Sequence, residues 1–140
     1  MNLYLKKIFT LAYRITGDKK IACELALSAI MKVVDTIELD DKISDCVYKT
    51  TAIQVCNLFL NNHNIHFNDF NYKLNSNLED RINVIQRTLL KMEPVSRVVI
   101  VWKDILGFQL SDLLIIVNIN INELNITLSN ARKQLLGKII

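Results

Sequence analysis

A chain of 140 residues has room for one ordinary domain or two small helical lobes, and none for an enzyme with separate cofactor and substrate domains. Hydrophobic residues make up 51% and charged ones 22%, with only three glycines and one proline, a balance that favours long helices over a turn-rich β protein. The net charge of +3 neither demands nor excludes nucleic acid, but its distribution is uneven: residues 1–70 carry eight basic and eight acidic groups, residues 71–140 nine and six.

The pattern predicts a first helix from about Leu3 to Thr16, with Leu5, Ile8, Phe9, Ala12 and Ile15 on one side and Gly17 as its stop. Asp18 is placed to cap a second helix, whose stripe Ala22, Leu25, Ala26, Ala29, Ile30, Val33 and Val34 is the cleanest helical periodicity in the chain. Acidic "DTIELDD" then reads as a loop. A third helix is expected from about Lys42 to Leu60, with Cys46, Ile53, Cys56 and Leu60 inward, so residues 1–62 suffice for a three-helix lobe.

Periodicity disappears in "NNHNIHFNDFNYKLNSN", and residues 63–77 read as an asparagine-rich linker, part of which packs down through its aromatic residues. A second lobe, residues 78–140, opens with the stripe Ile82, Ile85, Leu89 and Met92. Pro94 ends that helix and starts another, carrying Val98, Val99, Val101, Trp102 and Ile105 up to Gly107. "LSDLLIIV", the turn "NIN" and a final helix then have the layout of a helix-turn-helix. Asn118 stands where that turn needs a residue tolerant of left-handed geometry, and Asn120 with Glu123 makes a capping box. The fold class expected is all-α, two small helical lobes, the second ending in a helix-turn-helix.

In the last helix Leu124, Leu128, Ala131 and Leu135 make one apolar stripe, which leaves Asn122, Asn125, Ile126, Ser129, Asn130 and Lys133 outward. Arg132, Lys133 and Lys138 are unopposed in the last ten residues. They complement the helix dipole or contact phosphate, and composition does not separate the two.

Cys23, Cys46 and Cys56 are odd in number, lack C-x-x-C spacing and fall among apolar helical residues, so reduced, buried thiols in a cytoplasmic protein are expected. His63 and His66 have no third ligand nearby, and no metal or other cofactor is expected. No nucleophile–base pair, carboxylate dyad or phosphate-cradling loop suggests an enzyme. The opening residues do not read as a signal peptide, and Arg97, Lys103, Asp104 and Asp112 interrupt the most apolar stretch, so no membrane partner is expected.

Two blocks carry a resemblance that covers nearly the whole chain. "IFTLAYRITGDKKIACELALSAIMKVV" resembles the first conserved block of small alternative sigma factors of bacterial RNA polymerase, the extracytoplasmic-function type. "LLKMEPVSRVVIVWKDILGFQLSDLLIIVNININELNITLSNARKQL" is similar to their second block, with its turn, recognition helix and "A-R-x-x-L" ending. The resemblance implies a first, region 2-like lobe that clamps core RNA polymerase and melts DNA, and a second, region 4-like lobe that reads the upstream promoter element.

Carried over by position, the polymerase-binding set is Glu24, Leu27 and Ser28, where Leu27 replaces the family's glutamine and Ser28 its second acid. Tyr48 and Lys49 match the start of the run that captures the unpaired strand, which here lacks its closing arginine. In the recognition helix the DNA-binding set is Asn122, Asn125, Asn130, Arg132 and Lys133. Arg132 is retained, while Asn125, Thr127 and Asn130 stand where the family carries other residues. Asparagine reads adenine in the major groove but does not supply counterion-releasing affinity, so promoter DNA is expected to bind weakly without polymerase. An anti-sigma factor or self-association completes the implied partners. The alternative is a sigma-derived interaction protein that has lost promoter reading and binds polymerase, another sigma subunit or itself.

Overall fold

The computed structural model describes residues 2–34, 45–61 and 80–139, and among these every regular element is helical. Contacts divide the chain into two compact units, Met1–Ile65 and His66–Ile140. The "DTIELDD" loop, the two histidines and the linker at 63–77 lie outside the described residues.

In the first unit, α1 (Asn2–Thr16), α2 (Lys19–Val34) and α3 (Asp45–Asn61) each pack against the other two. Gly17 ends α1 at φ 72°, a conformation open to glycine without a Cβ clash, and its N–H closes the last turn on the Tyr13 carbonyl at 2.7 Å. Asp18 caps α2 as the sequence led us to expect, accepting from the Ile21 N–H at 2.9 Å.

The core of this unit joins Ile8, Leu11, Ala12 and Ile15 to Ala22, Leu25, Ala26, Ala29 and Val33, and to Ala52, Ile53, Val55, Cys56 and Phe59. Several expected inward positions differ. Leu5 and Val34 are exposed and Phe9 is half-buried, because the buried arc of α1 centres on Leu11 and Ala12 and that of α2 ends at Val33. Cys23, expected buried, is exposed: it sits one position past Ala22 and so turns off the inner stripe. Cys56 is buried, and the side chain of Cys46 lies outside the described residues.

The second unit begins with α4 (Asp80–Lys91) and α5 (Pro94–Ile100), with Pro94 in the first turn of α5, where its missing N–H costs no helical bond. Buried Arg97 crosses back to α4 and donates from one guanidinium nitrogen to the carbonyls of Leu90 and Met92, both at 3.0 Å, satisfying orphan acceptors at the helix end. Burial pushes its pKa down to about 10, so it stays charged at neutral pH.

Helix α5 runs directly into a π-helical turn, Val101–Ile105, in which the Leu106 N–H reaches the Val101 carbonyl at 2.9 Å. Val98 through Trp102 are all buried, which no one-sided helix allows. The wide turn shifts the register, and Ile105, expected inward, is 43% exposed. Trp102 anchors the turn: its indole N–H donates to the Gln109 carbonyl at 2.8 Å and its ring meets Phe108 at 4.6 Å between centroids. Gly107 then reverses the chain at φ 77°.

Before the last helix, Leu110–Ile115 forms a 3-10 segment where an α-helix was expected. Its two buried side chains, Leu110 and Leu113, are three apart, and a three-residue turn superimposes them on one side. Helix α6 (Ile121–Ile139) packs on α4, α5 and this segment through Leu124, Leu128 and Ala131. Asn118 keeps a negative φ, so the left-handed residue expected there is absent: the turn is made by Ile116 and Val117 N–H groups bonding back to Leu113.

Candidate nucleic-acid and polymerase interfaces

Asn120 starts α6 by accepting from the Glu123 N–H at 2.9 Å while its amide donates to the Glu123 carboxylate at 3.1 Å. The expected capping box forms with one change, since Glu123 reaches the Asn120 side chain rather than its backbone. A carboxylate thereby stands at the helix N-terminus, where the backbone N–H groups would otherwise favour an approaching phosphate.

Asn122, Asn125, Asn130 and Lys133 are exposed on α6, as the periodicity implied, and Arg132 is exposed with them. Ile126 and Leu136 lie among them, 61% and 54% exposed, so the outward surface mixes amides and aliphatic groups with few charges. Arg132 is engaged. Its Nε donates to Asp104 Oδ2 at 2.8 Å and its Nη2 to Oδ1 at 2.6 Å, a bidentate pair between α6 and the π-helical turn. The bonded guanidinium holds the Asp104 carboxyl below its ordinary range, against a smaller opposing effect of burial. The sequence offered no local sign of this pair, because its members lie far apart in the chain and belong to different elements.

Tyr48 and Lys49 belong to the other unit, on α3. Both are half-buried, and Lys7 of α1 places its ammonium 5.2 Å from the Tyr48 ring centroid. One turn further along α3, the Thr51 hydroxyl shares a 2.5 Å hydrogen bond with the Tyr4 hydroxyl. Burial raises the Tyr48 pKa, with a smaller contribution from Cys56. The aromatic plane expected to stack an unpaired base therefore has a lysine of its own chain over one face, at the seam of α1 and α3.

Glu24, Leu27 and Ser28 are brought together. All three are exposed on the side of α2 turned away from its buried alanines, and Met31 and Val34 extend the same row. Leu27, Met31 and Val34 are 59%, 68% and 58% exposed. From Leu27 to Met31 to Val34 the spacing is four and then three, which places three apolar side chains in one row on the helix surface. Met31 lies on this spacing in the sequence, but the stronger inner stripe of the same helix masks it.

Among the described residues no cluster of histidine, cysteine and acidic side chains could hold a metal ion, and no helix is long and apolar enough to cross a membrane. No protein-family model matches this sequence, and no curated protein matches it.

Proposed function

We propose that this protein is a sigma-factor-like regulator of transcription initiation that binds core RNA polymerase through α2 and brings it to promoter DNA through α6. The observation that carries the reading is the second apolar row on α2, Leu27, Met31 and Val34 beside Glu24 and Ser28. Full burial of a leucine or methionine against a partner contributes about 1.5–3 kcal/mol. Such a row on a soluble helix is an expense in solubility unless a protein covers it. The two residue blocks that resemble extracytoplasmic-function sigma factors supply the identity of that partner.

Weak DNA contact is compatible with this role. Once α2 fixes the protein on polymerase, a second contact acts at the effective concentration set by the tether, so α6 needs little affinity of its own. The decisive experiment adds purified protein to core polymerase and genomic template. Transcripts starting at discrete sites that depend on the protein support the proposal.

A second reading is favoured by one specific observation, the engagement of Arg132 by Asp104 on an otherwise nearly uncharged helix face. In that reading the chain is a sigma-derived interaction protein that holds polymerase, another sigma subunit or itself without reading DNA. Polymerase binding without site-specific transcripts would establish it.

A further inference from the structure

We propose that Asp104 is a resident competitor for nucleic-acid phosphate at Arg132, so that a phosphate diester takes the Nε–Nη2 fork of Arg132 only when the carboxylate leaves it. The proposal rests on the reading of α6 as the helix that faces nucleic acid. Its geometry is independent of that reading. The Asp104 carboxylate presents two oxygens to Nε and Nη2 of Arg132 at 2.8 and 2.6 Å, the same planar fork that receives two phosphate oxygens. Both contacts cannot be kept while a phosphate takes the same two donors.

The pair is also placed where exchange is open. The side chains of Arg132 and Asp104 are 47% and 33% exposed, so a phosphate approaching α6 meets the guanidinium without unpacking the core. An ion pair in that setting is weak and screened by salt, which makes the competition reversible. The π-helical turn supplies the position: it carries Asp104 and Ile105 to the surface while Val101 and Trp102 stay buried. Among the described α6 side chains Lys133 is the other cation, so release of Arg132 raises the phosphate partners in that set from one to two.

The test compares the parent with Asp104→Asn, which keeps the shape and one acceptor but removes the charge. Asp104→Ser is measured alongside, and helical content and melting are recorded for both. Fluorescence anisotropy on a labelled duplex between about 50 and 200 mM salt should show the variants binding two- to fivefold tighter at the low end. Their log–log salt slope should be steeper by about 0.9, one further neutralised phosphate. Adding Arg132→Ala to Asp104→Asn should abolish the gain. A merely structural pair would do the reverse, since loosening α6 would leave binding unchanged or weaker.

A second arm needs no DNA. Inorganic pyrophosphate is titrated while the Arg132 Nε–H resonance is followed, and half-saturation should come at lower concentration in Asp104→Asn than in the parent. Equal half-saturation in the two proteins overturns the competition itself. A pyrophosphate gain without a duplex gain overturns the proposal through the reading of α6 on which it rests.

Discussion

The three-helix unit buries Ala12, Ala22, Ala26, Ala29 and Ala52 at its helix contacts beside Ile8, Leu11, Ile15 and Phe59, whereas the second unit centres on Trp102 with Leu89, Ile100, Leu113, Leu124 and a run of valines. Alanine contacts let helix backbones approach closely, and α2, which buries Leu25 and Val33 among its alanines, also carries Leu27 and Met31 on the opposite side, in solvent. Around Trp102 the valines and Ile100 are inside, and the outer face of α6 mixes amides and hydroxyls with exposed Ile126 and Leu136. One unit therefore keeps spare apolar surface suited to a protein partner. The other also exposes aliphatic residues, Ile115 and Ile126 among them, but on α6 these are interleaved with amides.

The comparison breaks most easily at the two cores, which should fail in opposite ways. Trp102→Ala opens a large cavity and orphans the Gln109 carbonyl, so the second unit should lose about 3–5 kcal/mol in denaturant unfolding. At the alanine contacts of the first unit truncation has little to remove, and enlargement is the damaging change there. Ala29→Leu, at a fully buried contact, should cost about 1–3 kcal/mol. Equal tolerance of both substitutions would mean that the packing contrast is not energetic.

Surface changes should separate binding from stability. Glu24→Lys should weaken capture of core polymerase while leaving helical content and melting unchanged, since Glu24 is exposed. On α6, Arg132→Ala with Lys133→Ala should flatten an already shallow salt dependence of duplex binding, affecting all sequences alike, and Asn125→Ala should mainly reduce preference for an adenine-containing site. Salt-independent binding in the parent would make α6 a packing or partner surface.

Two smaller effects follow from single groups. Cys56 is buried with its thiol pKa pushed up to about 12, so an alkylating reagent on the folded protein should label exposed Cys23 and spare Cys56 in a peptide map. The Asp104 carboxyl is held low by Arg132, so the stability it contributes is present above the unfolded carboxyl value of about 3.9 and is lost as pH falls through the lower folded value. The melting difference between parent and Asp104→Asn should accordingly be flat from about pH 5 to 8 and shrink only in acid.

Helix class, the caps at Asp18 and Asn120, the stop at Gly107 and the restart at Pro94 were legible because each depends on one or two neighbouring residues. The stripe of α6 was legible for the same reason, since its face is set by spacing alone. What escaped depended on distant residues. The π-helical turn follows from seating Trp102 against Phe108 and Gln109, and it moved Ile105 outward against its periodicity. The Asp104–Arg132 and Lys7–Tyr48 contacts join separate elements and leave no mark in local sequence. They alter the candidate site most, because each engages a group that the family resemblance had assigned to nucleic acid.

The central claim is that the outer row of α2 holds core RNA polymerase. Its most direct test is co-elution of purified protein with core polymerase on a sizing column, for the parent and for Leu27→Asp with Met31→Asp. Both substituted positions are exposed, so the variant should keep its fold, as checked by circular dichroism. The parent should co-elute and the variant should not. A parent that fails to bind, or a folded variant that binds as well as the parent, would contradict the account.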